Sequence, residues 1–444
     1  MEIPIKEEKF IAESICLEKG IAINNALLDI LFALFVAINT KIPIFIIGKS
    51  GCGKSLCVQL IYKAMRGKAS KKLLFQNFPE IIMTTYHGSM LISSQDIKIV
   101  FKKARNILKK INKKKEIINE EQKTIIEDKN NNQNKEIISL INFNMINLAE
   151  HSSNNPLNAL LSELEYDLKE DDKKVAFVGE SNLALEPSII NLGIILTIPD
   201  LEREDLKITS YAIGKSFSTH LANTYKSVYE SLGDIYYDYK QYLMSQFNDG
   251  LEEFHGYRDF YHLVKNVARN LVKENTNQLT QNEKNYYIKK GIERNFAGLV
   301  FESTKETSLK RIKKYYRYFD DNVEIEDKYD VKDILGQNIE DLKSRYLLVI
   351  SKSSISEFLL KTILKEKNKE YIYYKGSPFK EDLKSEDYIL KILNNIQRNM
   401  EQEKVLIFHN LESVYTFLYD LFNQNFIEVG KKKYAKITFG YIFN

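Results

Sequence analysis

The residues with the plainest chemistry are Gly48-Lys49-Ser50-Gly51-Cys52-Gly53-Lys54-Ser55, which satisfy G-x-x-x-x-G-K-[ST] at every position. Glycines at this spacing let a backbone wrap an anion with its N–H groups pointing inward. A helix starting at the end of the loop adds the positive end of its dipole to the same anion. Lys54 is placed to reach β- and γ-phosphates as a point charge, and the Ser55 hydroxyl to ligate Mg²⁺. The expected ligands are therefore ATP and Mg²⁺. A chance match to the pattern is on the order of one in a hundred for a chain of this length, before its flanks are considered.

Those flanks are the ones the loop needs. Residues 42–47 form a short, continuous apolar run of the kind found in strands buried on both faces. Residues 55–65 follow with helical spacing, Leu56, Leu60, Ile61 and Ala64 forming the expected inner face. Further strands are predicted over 81–86, 137–143 and 174–178, with helices over 21–38, 96–111 and 157–168. In the helix over 96–111 the expected buried positions are Ile99, Val100, Ala104, Ile107 and Leu108. Alternation of buried strands with helices predicts an α/β fold, a doubly wound parallel sheet, and the phosphate loop it carries is read as one of AAA+ P-loop type. Residues 109–135 interrupt it with Lys, Glu, Asn, Gln and Ile, and read as a solvated, partly disordered insertion because acidic residues are interleaved among the lysines. Residues 201–336 carry Tyr- and Lys-rich amphipathic helices, a helical lid. Strand-like runs return at 346–350 and 405–408, so residues 337–444 are expected to open a second, partial α/β unit without a phosphate loop.

Hydrolysis asks for more than a cradle. An acid at the tip of a neighbouring strand must hold the Mg²⁺ shell, and AAA+ domains add a glutamate that polarises the attacking water. The strand expected to supply both ends in Asn144-Met145. Asparagine is neutral, and methionine neither accepts a proton nor orients water. The next strand ends in Gly179-Glu180-Ser181-Asn182, which makes Asn182 a candidate sensor of the γ-phosphate. Arg258, in Gly256-Tyr257-Arg258-Asp259 at a predicted helix start, is a candidate second sensor from the lid. Both have plainer readings, a turn asparagine and a surface ion pair. Glu150 is a candidate substitute acid, provided the chain after the third strand doubles back.

Composition narrows the remaining classes. The chain has 444 residues, 28% of them charged, with a net charge of +4, which gives no reason to expect a specific nucleic-acid partner. Three cysteines, Cys16, Cys52 and Cys57, lack the pairing of a disulfide framework, and six scattered histidines give no zinc-ligand spacing. The longest apolar stretch, residues 26–38, contains Asp29 and falls short of the ~20 residues of a membrane span. With an N-terminus unlike a signal peptide, a cytoplasmic location is expected.

Several segments together resemble one family, the mysterin-type giant AAA+ RING-finger E3 ubiquitin ligases. They include Gly20-Ile21-Ala22-Ile23-Asn24, Leu148-Ala149-Glu150, Gly179-Glu180-Ser181-Asn182-Leu183-Ala184-Leu185-Glu186-Pro187 and Phe254-His255-Gly256-Tyr257-Arg258-Asp259-Phe260-Tyr261. Arg294-Asn295-Phe296, Ser344-Arg345-Tyr346-Leu347-Leu348-Val349 and Asn410-Leu411-Glu412-Ser413-Val414-Tyr415 follow in the same order. The resemblance spans nearly the whole chain outside the insertion. It implies a later AAA+ unit of a multi-unit motor core, followed by the opening part of a nucleotide-degenerate unit, with neighbouring AAA+ units as partners. Two departures stand out. The family's acidic pair is Asn144-Met145 here, and the arginine of its Met-Asn-Arg-Gly segment is Leu192. Such an arginine, acting in trans, is worth roughly 10³-fold or more in phosphoryl transfer. The expected function is nucleotide binding with impaired hydrolysis in a structural or allosteric role. The alternatives are an active ATPase and a non-binding scaffold or relic of a larger ligase. No RING module or cysteine cluster for ubiquitin transfer stands in these residues.

Overall fold

The apolar run before the phosphate loop becomes β1 (Ile44–Ile47), placed inside a five-stranded parallel sheet in the computed structural model of the chain. The structure describes residues 2–88, 92–122, 136–150, 152, 154, 156–169, 174–246, 251–273, 279–301, 306–314, 330–341, 346–351, 353, 355–379, 381–382, 385–424, 426–429, 432–435 and 437. It divides into two units, Met1–Asp327 and Lys328–Asn444.

In the first unit, β1 is joined by β2 (Glu80–His87), β3 (Ile137–Asn144), β4 (Ala176–Ser181) and β5 (Ile194–Thr197). Their order is β2-β3-β4-β1-β5, every pairing parallel. Each crossover therefore needs a helix, and the helices cover both faces. Helix α1 (Glu2–Ser14) packs on α2 (Asn25–Thr40), and α2 packs on α3 (Lys54–Ala64) and on the sheet. The Asn24 side chain caps α2 by accepting from Leu27 N at 2.9 Å. Two helices lie on the other face, α4 (Ser94–Gln122) and α5 (Pro156–Lys169). There Phe45, Ile141, Phe143 and Phe177 pack with Phe101 and Ala104 of α4 and Leu160 and Leu164 of α5. Burying one such aromatic contributes on the order of 2–3 kcal/mol, so this layer anchors the sheet. Arg105 ties α4 to α5 through Asp167 at 2.7 Å and Glu163 at 2.5 Å.

The chain then leaves the sheet for an all-helical layer. It comprises α6 (Arg203–Phe217), α7 (Lys226–Gln246), α8 (Tyr257–Lys273) and α9 (Gln281–Phe296). Reciprocal capping boxes open two of these helices, Glu202 with Asp205 for α6 and Thr280 with Glu283 for α9. Its core is aromatic. Tyr229, Tyr236, Tyr239, Phe260 and Phe296 are almost fully buried, with Tyr236 stacked on Phe260 at 4.7 Å between ring centres.

The second unit contains α10 (Val331–Glu340), α11 (Ile355–Glu366), β6 (Tyr371–Lys375), α12 (Glu386–Met400) and β7 (Val405–His409). Strands β6 and β7 pair in parallel, and Ile389, Leu393, Ile396, Leu411, Val414 and Leu418 form a small core. A hairpin of β8 (Phe426–Val429) and β9 (Lys432–Ala435) follows.

Several expectations need correction. Leu56 is 37% exposed while Cys57 and Val58 are buried, and Ile99 is 40% exposed while Ile97 and Phe101 are buried. Both errors come from setting the phase of a helix on a short window, where a shift of one residue turns the face by 100°. Residues 109–122 of the expected insertion are helical and continue α4, and 123–135 lie outside the described residues. Lysine, glutamate and glutamine are good helix formers, so this composition extends a helix already nucleated by its buried face. Residues 346–350 do not form a strand. They are exposed throughout, Leu348 at 71% and Ile350 at 73%, because an apolar run becomes a strand only beside a hydrogen-bonding neighbour.

Candidate functional site

The loop between β1 and α3 carries positive φ at Gly51 (88°) and Gly53 (103°), values that side chains other than glycine rarely adopt. Lys54 follows as the first residue of α3 and is 8% exposed. Its Nζ donates to the Gly48 carbonyl, to the Lys49 carbonyl at 3.0 Å and to Asn182 Oδ1 at 2.9 Å. Burial lowers the Lys54 pKa; the Cys52 and Glu180 charges oppose that, and the nearby Arg258 adds to it. Asn182 therefore stands at the phosphate loop, at the tip of β4, with its amide Nδ2 3.6 Å from Met145 Sδ.

Ser55 donates its hydroxyl proton to Glu180 Oε2. Strand order makes that contact possible, because β4 is the neighbour of β1 whereas β3 lies one strand farther out. Glu180 pairs with Ile46 in register, and Asn142 with Val178, so Asn142, Asn144 and Glu180 share one face of the sheet. That face carries Ser55 and α3. Glu180 is 3% exposed. Burial pushes its carboxyl pKa up, while the Ser55 hydroxyl, the Asn142 amide, Lys54 and His87 favour the charged form. Among the described residues, Glu180 Oε1, Asn142 Oδ1 and Asn144 Oδ1 are buried and make no hydrogen bond. One anionic oxygen beside a serine hydroxyl, with two neutral amide oxygens on the same face of the sheet, is a donor set whose chemistry suits a hard divalent cation such as Mg²⁺. Glu180 was not singled out from the sequence. Its only signal was a carboxylate two residues before Asn182, and nothing local says which strand lies beside the loop.

The helical layer closes on the loop from the other side. A Cβ at Gly51 would lie 3.2 Å from Tyr257 Cβ and 3.3 Å from Arg258 Cγ, so the start of α8 is pressed against this glycine. Tyr261 donates to the Gly51 carbonyl at 3.1 Å. Lys49 bridges Asp200 at 2.7 Å and Glu253 at 2.9 Å, and Lys240 also reaches Glu253 at 2.9 Å. Burial alone would raise the pKa values of Asp200 and Glu253, but their lysine partners hold both below the usual carboxylate range. Tyr257 donates to Asp200 Oδ1 and accepts from Leu201 N, each at 2.9 Å. Arg258 is thereby brought to the mouth of the loop with an exposed side chain.

The other predicted positions fall elsewhere. Asn144 ends β3, and Met145 follows with φ of 57°, reversing the chain into a one-turn helix, Ile146–Glu150. Gly88 donates its N–H to the Asn144 carbonyl at 2.8 Å, and a Cβ there would sit 2.2 Å from the Met145 carbonyl oxygen, so the tips of β2 and β3 are locked together. Glu150 stands at the far end of that helix, beside Ala149 of the packed core. Leu192 packs partly buried against the same core, the placement of a structural side chain.

Two family models described as RNF213 AAA domain match the chain, one over residues 20–205 and the other over 336–444. The chain is 26% identical to the human (Homo sapiens) E3 ubiquitin-protein ligase RNF213 over 468 residues, covering 99% of this chain and 8% of that protein. It is also 26% identical to zebrafish (Danio rerio) E3 ubiquitin-protein ligase rnf213-beta over 449 residues, covering 98% of this chain and 8% of that protein. The chain thus spans about 8% of the length of these curated relatives. Among solved structures it is similar to C. elegans PCH-2, at 13% identity and a TM-score of 0.31, over 65% of this chain and 73% of that one. Among the described residues, no helix is long and apolar enough to cross a membrane.

Proposed function

Because the chain belongs to the RNF213 AAA domain family, we propose that residues 48–55 hold ATP with Mg²⁺ and that the bound nucleotide serves as a structural or allosteric element. The observation that carries this reading is the pairing of a complete phosphate loop with a neutral tip on β3. Lys54 is already held by two loop carbonyls and Asn182, from which it can turn to a phosphate. Backbone N–H groups of the loop and the start of α3 supply the remaining anion contacts. Ser55, with Glu180 beside it, would hold Mg²⁺, which would neutralise phosphate charge when bound. Asn144 and Met145 offer no base for an attacking water, and Leu192 supplies no charge to a neighbouring site. A nucleotide held without turnover biases the lid toward the arrangement that binds it more tightly, and so biases whatever adjoins the lid.

The test is nucleotide binding by the purified chain with Lys54→Ala beside it. Wild-type binding that weakens at least about 100-fold in the variant is the expected result. Binding indifferent to Lys54 removes the reading and leaves a scaffold whose loop has no ligand. Turnover is measured on the same samples. A second reading, an active ATPase, is favoured by Glu180 against Ser55, and Mg²⁺-dependent hydrolysis lost in Lys54→Ala decides for it. The relatives are named as E3 ubiquitin ligases, and our reading gives this segment a part in arranging neighbouring AAA units, not in ubiquitin transfer.

A further inference from the structure

Resting on the nucleotide-binding reading, we propose that Glu180, on β4, is the anionic ligand of the divalent cation, taking the role left vacant by the neutral tip of β3. Sequence and topology together force the question. The face that meets Ser55 carries a single carboxylate among Asn142, Asn144 and Glu180, and it stands on the inner strand. Neighbouring strands are about 4.8 Å apart, so an acid on β4 stands roughly that much closer to the loop than one on β3. The closeness is visible in the direct hydrogen bond from Ser55 to Glu180 Oε2. This bond does two things. It anchors the carboxylate, and by taking the hydroxyl proton it leaves the Ser55 lone pairs free for a cation.

The second oxygen carries the proposal. Glu180 Oε1 is buried and makes no hydrogen bond, while the residue as a whole is 3% exposed. A buried carboxylate oxygen without a partner is costly unless a positive charge completes it. Lys54 is within electrostatic reach but spends its donors on Gly48, Lys49 and Asn182, so it balances the charge without satisfying Oε1. Asn142 Oδ1 and Asn144 Oδ1, equally unpartnered, are neutral oxygens able to hold the waters of the cation's outer shell. Hard oxygen donors of this mix select Mg²⁺ or Mn²⁺ over softer metals. The site therefore keeps its metal while lacking the base that follows the acid in an active strand tip.

The test separates charge from packing. Glu180→Gln keeps the side chain's size and an acceptor for Ser55 but removes the anion. Nucleotide affinity of the full chain is measured by calorimetry with EDTA, with Mg²⁺ and with Mn²⁺, and bound Mn²⁺ is counted by electron paramagnetic resonance. In wild type the metal tightens binding. In Glu180→Gln, the metal's contribution, read as the ratio of nucleotide affinities with and without metal, and the Mn²⁺ affinity fall about 10–100-fold. The double variant Glu180→Ala with Asn144→Asp, which moves the acid back to β3, recovers part of the metal response. Unaltered Mn²⁺ binding in Glu180→Gln overturns this proposal and leaves nucleotide binding intact. Wild type that binds no nucleotide under any of the three conditions overturns both.

Discussion

The sheet tips and the helical layer meet at the same loop, and the polar groups that each brings to it are satisfied to different degrees. In the lid, Tyr257 satisfies both Asp200 and Leu201 N, Tyr239 pairs with His255 Nδ1 at 2.7 Å, and Lys49, Lys240, Asp200 and Glu253 form one ionic cluster. At the tips of β3 and β4, three oxygens are buried without a hydrogen bond. Closed networks rigidify, whereas open ones cost stability and persist where a ligand completes them.

A buried carboxylate of the helical layer, Asp259, gives the largest expected effect. Burial raises the Asp259 carboxyl from 3.8 to about 6, even though Gly256 N donates to it at 2.9 Å. A raised folded-state value means that its contribution to stability is complete below pH 3.8 and is lost as pH rises through about 6. Asp259→Asn keeps the acceptor for Gly256 N and abolishes the titration. Its stability in urea should match wild type at pH 3.5 and exceed it by up to about 3 kcal/mol at pH 7. His255, depressed to about 4 by burial, titrates in both proteins and cancels in the difference. A variant that is no more stable than wild type at pH 7 contradicts the assignment of a costly charge here.

Restoring acids to the β3 tip is the next effect in size. Asn144→Asp with Met145→Glu should raise ATP turnover by about 10²-fold, read by phosphate release, because a water-activating base is worth 10²–10⁴-fold. No gain would place the block at Leu192 or beyond.

Two conservative substitutions then test satisfaction directly. Tyr257→Phe strands the Leu201 N–H and an Asp200 oxygen and should destabilise by about 1–3 kcal/mol. Asn144→Leu, replacing an amide whose oxygen is unpartnered, should change stability in metal-free buffer by no more than about 1 kcal/mol, with stabilisation the expected sign. Equal losses in the two variants would erase the distinction between lid and strand tips.

How much could be read in advance differs element by element. The loop and its flanking strand and helix were legible because their signals are local, a fixed spacing of glycines and a continuous apolar run. The neutral residues at Asn144 and Met145 were legible for the same reason. Helix faces were less so. Leu56 and Ile99 point outward because the phase of a helix depends on what packs against it. The strand expected at 346–350 was misread because an apolar run states a preference for pairing and does not supply the partner.

Residue identity alone determined that this chain carries the full G-x-x-x-x-G-K-[ST] pattern and that its third strand ends in the neutral pair Asn144-Met145. Tertiary structure alone decided that β4 lies between β3 and β1, that Glu180 meets Ser55, and that Arg258 and Tyr261 of α8 arrive at Gly51. The physical reason is range. Loop conformation follows from residues a few positions apart, whereas Ser55 and Glu180 are 125 residues apart and meet only because the parallel sheet folds β4 in beside β1.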